Sequence, residues 1–218
     1  MRPDMRKLMV AVEGPIGVGK SILTATLCAL FGFEPVFEPV ETNPYLERFY
    51  KDMGRWSFSM QIHLLHARYL LHQRARFSRK STITDRSIYG DVAFANILHA
   101  DGLIQDLEYD TYRLAWEAMR QTLVYPDVCI FLTAPVPWLQ DRIKEKRGRE
   151  YESGISDEYL TALSREYDAL FDEMSNYSSC QKFDWTDPNK NLPAVVDLIE
   201  KAGTTTGLNW ARRAPLTI

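Results

Sequence analysis

Two patterns of apolar positions alternate along the chain. Short runs rich in apolar or β-branched residues lie at positions 8–12, 35–37, 82–84, 127–133 and 181–185, and each predicts a strand. Longer segments with helical periodicity lie between and after them, at 21–31, 43–51, 55–79, 88–100, 109–123, 138–146 and 192–202. Another helix is predicted to open at Ser156, with Asp157 and Glu158 in the first turn where the positive end of the helix dipole favours acids. Strands alternating with helices predict an α/β fold, a central five-stranded parallel sheet flanked by crossover helices. Local punctuation agrees: Gly32 closes the first helix, and Pro126 and Pro135 bracket the fourth strand.

Composition narrows the class. The chain has 218 residues, 45% hydrophobic and 25% charged, which suits one globular domain with a substantial core. We assign residues 1–203 to that domain and expect 204–218, of mixed polarity, to be a loosely held tail. The net charge of −3 argues against a nucleic-acid partner, so any phosphate site must be locally basic. No segment reaches the ~20 apolar residues needed to span a membrane, and the first apolar run breaks at Glu13, too soon for a signal peptide. Cys28, Cys129 and Cys180 share no close spacing, so neither a zinc site nor a redox pair is signalled, and Cys28 and Cys129 read as core thiols. A cytoplasmic enzyme is the expectation.

The chemistry begins at Gly14-Pro15-Ile16-Gly17-Val18-Gly19-Lys20-Ser21, which has the spacing of a phosphate-binding loop between a strand and a helix. Glycines let successive backbone N–H groups turn toward phosphate oxygens, and the following helix adds its positive end. Lys20 is expected on the β- and γ-phosphates and Ser21 on Mg²⁺. The loop specifies ATP or GTP but not the acceptor.

Further candidates stand at the predicted strand ends, where open parallel sheets bind ligands. Glu38 follows the second strand and, in the usual strand order, would lie next to the loop-bearing strand, placed to accept a proton from an attacking hydroxyl. Glu41 competes with it, and either acid reads equally as a solvated loop residue. Asp85 and Arg86 follow the third strand, as an acid for the Mg²⁺ shell and a cation for the transition state, or as a helix N-cap with a surface arginine. Gln61 and Arg68, seven residues apart, share a helix face. They suit an amide reading a base edge and a cation pairing with Asp91, or an ordinary polar surface. Arg142, Lys144, Lys146, Arg147 and Arg149 form either a mobile cationic lid, about 146–155, or a solvated helix face.

Taken in order, these motifs resemble the deoxynucleoside kinase family, which includes deoxycytidine, deoxyguanosine and bacterial deoxyadenosine kinases. The resemblance rests on the loop at Gly14, Glu38-Pro39-Val40, Tyr50-Lys51-Asp52, Arg55-Trp56-Ser57-Phe58 with Gln61, Asp85-Arg86-Ser87-Ile88-Tyr89 with Asp91, and Arg147-Gly148-Arg149. It covers about residues 8–202. It implies a P-loop kinase fold with an arginine-bearing lid, a homodimer, ATP with Mg²⁺, and transfer of phosphate to the 5′-hydroxyl of a deoxynucleoside. By the same resemblance Glu38 is the general base, Arg86 holds the attacking oxygen, and Asp85 is linked to Mg²⁺. Tyr50 and Glu152 bind the sugar 3′-hydroxyl. Gln61 reads the base, Arg68 and Asp91 contact its far edge, Trp56 and Phe94 wall the pocket, and Arg147 and Arg149 are lid cations. By the same resemblance the Arg68–Asp91 pair points to a purine or deoxycytidine rather than thymidine, and Asp85 with the stretches 43–45 and 50–53 is closer to the purine-directed bacterial members, which favours deoxyadenosine or deoxyguanosine. The run from Arg142 to Arg147 is one residue longer than the family spacing, which argues against Arg142 as a catalytic cation. A nucleoside monophosphate kinase and a non-catalytic nucleotide-binding subunit are the alternatives.

Overall fold

A computed structural model describes residues 6–37, 43–146 and 155–204. Its five-stranded sheet is parallel throughout, in the order β2-β3-β1-β4-β5, with β1 Met9–Glu13, β2 Glu34–Val36, β3 Thr82–Asp85, β4 Val128–Thr133 and β5 Ser179–Asp184. The helices are α1 Lys20–Phe31, α2 Leu46–Lys51, α3 Met53–Phe77, α4 Asp91–Ala100, α5 Asp106–Arg120, α6 Val136–Lys146, α7 Asp157–Met174 and α8 Pro188–Thr204. Among the described residues no helix is long and apolar enough to cross a membrane.

Strand periodicity builds the two-sided core. Val10 and Val12 of β1, with Val128, Ile130 and Leu132 of β4, face one side and pack against Leu23 and Leu27 of α1, Leu139 and Ile143 of α6 and Val195 and Ile199 of α8. Ala11, Cys129 and Phe131 point the other way, into a cluster with Leu65 of α3, Tyr112 and Trp116 of α5 and Leu163 of α7. Both faces of the sheet are therefore covered, which is why its central strands read as continuous apolar runs.

The structure revises several expectations. The second strand does not border β1, because β3 lies between them. Pro35 lacks an N–H and suits the edge position that β2 occupies. The helix expected from Ile88 opens with a 3₁₀ turn, Ile88–Gly90, and becomes α-helical at Asp91. A capping box of Gln105 and Glu108 starts α5 three residues early. The last helix starts at Pro188, proline being favourable in a first turn. Ser156 caps α7 as expected, accepting from the Tyr159 N–H at 3.1 Å. Cys129 is buried, but Cys28 is only half-buried. Strand register sets Cys129 beside Cys180, neighbours that their sequence spacing hides. Residues 205–218 of the expected tail lie outside the described residues.

Candidate active site

The carboxyl ends of β1 and β3 lie side by side, with Val12 in register with Asp85. The chain leaves β1 into the phosphate loop. Gly14 has φ 140°, and a Cβ there would lie 2.5 Å from the Leu132 carbonyl oxygen, so the close approach of loop to β4 admits only glycine. Lys20 and Ser21 are the first two residues of α1. The buried Lys20 ammonium donates to the carbonyls of Gly14 (3.0 Å) and Pro15 (2.8 Å), curled over its own loop. Ser21 Oγ donates to Asp85 Oδ2 at 2.5 Å. The described residues contain no cluster of three or more His, Cys, Asp or Glu suited to a metal. Mg²⁺ does not need one, since it is usually held by one or two protein oxygens together with phosphates and water. The Ser21–Asp85 pair supplies two such oxygens on the lip of the loop.

Arg86 is buried and has φ 66°, the single non-glycine residue with positive φ among those described. For an L-residue this conformation costs about 1–2 kcal/mol, and it is held by specific contacts. The guanidinium donates to the Tyr167 hydroxyl, lies 4.6 Å from the Phe94 ring centroid, and lies 5.6 Å from that of Tyr167. The reading of Arg86 as a surface residue after an N-cap is excluded.

Gln61 and Arg68 do share a face of α3, and that face is buried rather than solvated, at 3% and 4% exposure. Arg68 pairs with the fully buried Asp91. Asp91 Oδ2 also accepts from the Tyr112 hydroxyl at 2.6 Å. A buried ion pair is tolerable when its remaining valences are satisfied, and Tyr112 supplies one such bond. Burial in turn pushes the Tyr112 phenol up, opposed by the Arg68 and Arg113 charges, so it remains a donor. The side-chain carbonyl Oε1 of Gln61 is buried with no hydrogen-bond partner among the described residues, an orphan acceptor that a ligand donor would satisfy. Phe94 joins the two regions: its ring centroid is 5.9 Å from the Arg68 guanidinium and 4.6 Å from that of Arg86.

Trp56 is half-buried. The Arg48 and Arg55 guanidiniums lie 5.1 and 4.7 Å from its ring centroid, and the Tyr45 ring 5.9 Å away. Tyr50 is half-buried in α2 and packs edge-on against Phe49. Arg142 Nε donates to the Gly17 carbonyl at 3.2 Å, with its guanidinium over Trp138, so it braces the phosphate loop. Trp185, just past β5, packs about Gly19. Glu38 and Glu41, and Arg147, Arg149 and Glu152 of the expected lid, lie outside the described residues. Two groups in the site were not singled out from the sequence: Tyr167, which nothing in its helical surroundings marks, and Glu13, whose position as an acid ending an apolar strand was the available signal.

A phosphate loop at the carboxyl end of a five-stranded parallel sheet, with an acid and a buried arginine on the neighbouring strand, defines a P-loop kinase fold. Comparison with solved structures agrees. Deoxyadenosine kinase from M. mycoides, solved with the products dCMP and a flexible dCDP bound, superposes with a TM-score of 0.81 at 28% identity, covering 89% of this chain and all of that one. The deoxynucleoside kinase family model matches residues 10–201, and the chain belongs to that family. It is 35% identical to a deoxyadenosine/deoxycytidine kinase of Bacillus subtilis (88% of this chain, 91% of the relative). It is 33% identical to a deoxyadenosine kinase of Dictyostelium discoideum (82% and 72%) and 34% identical to a deoxyguanosine kinase of B. subtilis (76% and 79%).

Proposed function

We propose that the enzyme transfers the γ-phosphate of ATP to the 5′-hydroxyl of a deoxynucleoside, preferring deoxyadenosine or deoxyguanosine over deoxycytidine. The observation that carries this reading is the Phe94 ring lying close to both Arg68 and Arg86, 5.9 and 4.6 Å from their guanidiniums. A base against Gln61 and Arg68 would have its sugar directed past Phe94 toward Arg86 and the phosphate loop. The preference for a purine is supported by the resemblance of Asp85 and the stretches 43–45 and 50–53 to purine-directed members and by relatives that include deoxyadenosine and deoxyguanosine kinases, while the buried Arg68–Asp91 pair supports a purine or deoxycytidine over thymidine.

In this mechanism the phosphate loop, Gly14 to Ser21, holds the donor phosphates through backbone N–H groups, and Lys20 exchanges its two loop carbonyls for phosphate oxygens. Ser21 and Asp85 would hold Mg²⁺, which would supply neutralisation of phosphate charge. Glu38 removes the proton of the 5′-hydroxyl, the oxygen attacks the γ-phosphorus, and ADP leaves with the electrons of the broken bond. Arg86 orients the attacking oxygen and stabilises charge on the transferring group. Tyr50 and Glu152 hold the 3′-hydroxyl, Trp56 and Phe94 wall the base, and Arg147 and Arg149 close over the phosphates.

Initial rates with ATP, Mg²⁺ and each of deoxyadenosine, deoxyguanosine, deoxycytidine, thymidine and dAMP test the reading. Purine deoxynucleosides are expected to be the best acceptors. Turnover of dAMP but not deoxyadenosine would instead mark a nucleoside monophosphate kinase, and unchanged ATP with every acceptor a non-catalytic nucleotide-binding protein.

A further inference from the structure

Glu13 ends β1 and is wholly buried, next to Val10, Ala11 and Val12, which are almost equally inaccessible. Packing alone calls for an apolar residue there, because a buried carboxylate is unfavourable unless it is hydrogen-bonded. Burial pushes its carboxyl above the ordinary range, opposed by the Ser87 hydrogen bonds and by the Arg86 and Lys20 charges. Its first oxygen is compensated specifically, while Oε2 is buried with no hydrogen-bond partner among the described residues. Glu13 Oε1 accepts from the Ser87 N–H at 2.8 Å, while the Arg86 N–H donates to the Val12 carbonyl at 3.0 Å. Two consecutive residues of β1 thus grip the backbone on both sides of Arg86, the residue held at φ 66°. Gly90 makes room for the acid, since a Cβ there would lie 2.8 Å from Glu13 Oε2 and 3.4 Å from the Tyr167 hydroxyl. That hydroxyl receives the Arg86 guanidinium at the far end of the side chain.

We propose that Glu13 is a positioning residue: its carboxylate holds the left-handed turn that aims the Arg86 guanidinium, and so ties that cation to the strand from which the phosphate loop departs. The loop begins one residue after Glu13, so donor phosphates and Arg86 share one rigid mount. Backbone at a sparsely populated φ persists only where its surroundings determine it, and such residues cluster at functional sites. The proposal rests on the catalytic role given to Arg86 above.

Steady-state kinetics of the full chain with ATP, Mg²⁺ and deoxyadenosine, together with crystal structures of the same variants, test it. Glu13→Gln keeps an acceptor oxygen at the same reach, so kcat is expected to stay within about threefold, with Arg86 still at positive φ. Glu13→Asp withdraws the oxygen by one methylene. Its kcat is expected to fall on the order of 10²-fold, the loss typical of about 1 Å of misplacement, with KM for ATP nearly unchanged. In an Arg86→Lys background Glu13→Asp should cost little more, because the aimed guanidinium is already gone. Parental kcat in Glu13→Asp overturns the proposal, as does an equal loss in both backgrounds, which would mark general damage to the fold. Should Glu13→Asp not fold, a tenfold or greater loss in Glu13→Gln overturns it and near-parental turnover upholds it. If Arg86→Lys alone leaves turnover intact, the role of Arg86 has failed. The crystallographic arm then decides for Glu13: φ of residue 86 staying positive in Glu13→Asp overturns the proposal, and its departure upholds it.

Discussion

The Tyr112 hydroxyl donates to Asp91 Oδ2 across 2.6 Å in a place where both side chains are sealed from solvent. The other oxygen of Asp91 faces Arg68. One residue on α5 thereby orients an ion pair built between α3 and α4. Tyr112→Phe keeps the ring and removes the bond. A hydrogen bond to a charged group contributes about 1.5–3 kcal/mol, so kcat/KM for purine deoxynucleosides should fall roughly tenfold or more, mostly through KM. Rates over a range of deoxyadenosine concentrations check this, and an unchanged KM would leave Tyr112 with packing alone.

Removing the pair itself has a different consequence. Taking away one partner strands a buried charge, whereas removing both avoids that penalty. Arg68→Met combined with Asp91→Ala should therefore fold and relax base choice toward pyrimidines, raising the thymidine-to-deoxyadenosine ratio of kcat/KM. An unchanged order of preference would move the base elsewhere.

Asp85 lies against Ser21 where the loop enters α1. Asp85→Asn keeps the size and removes the charge. It should raise the Mg²⁺ concentration needed for half-maximal rate by about 10–100-fold, the usual scale for disturbing a metal's surroundings. Titrating Mg²⁺ at saturating ATP measures the shift, and coincident curves for parent and variant would exclude Asp85 from the metal shell.

His72 supplies a stability prediction independent of the chemistry. Burial and the Arg76 charge lower its pKa from 6.5 to about 4, and its Nε2 accepts from the Val124 N–H at 3.3 Å. Neutral His72 is thus the folded form, and the unfolded chain binds the proton more readily. Its contribution is intact above pH 6.5 and is lost as pH falls from there toward 4. The loss should total about 3 kcal/mol at the low end. Urea unfolding at a series of pH values should show a shallower decline below neutrality for His72→Gln, which retains an acceptor. Parallel slopes in parent and variant would contradict this.

The legibility of fold and site in the sequence followed the range of the interactions. Strands β1 and β4 and the phosphate loop are written locally, in apolar runs and glycine spacing, and could be read from either. The place of β2 could not, because a three-residue strand carries no record of its neighbour, although Pro35 hinted at an edge. Gln61 and Arg68 were visible as a helical pair, but whether that face met water depended on α4 and α5 closing over it. The contributions of Tyr112, Tyr167 and Glu13 depend on partners 21 to 81 residues away, which spacing along one segment cannot express. The left-handed backbone of Arg86 was equally hidden, since arginine gives no sign of positive φ.

In the proposed mechanism Glu38 is the base that activates the 5′-hydroxyl. The most direct measurement is turnover of deoxyadenosine by Glu38→Gln alongside its affinity for ATP. Turnover should drop by about 10²–10⁴-fold while ATP binds nearly as before, the range expected when a general base is lost. Parental turnover in Glu38→Gln would contradict the mechanism and return the search for the base to the remaining acids of the site.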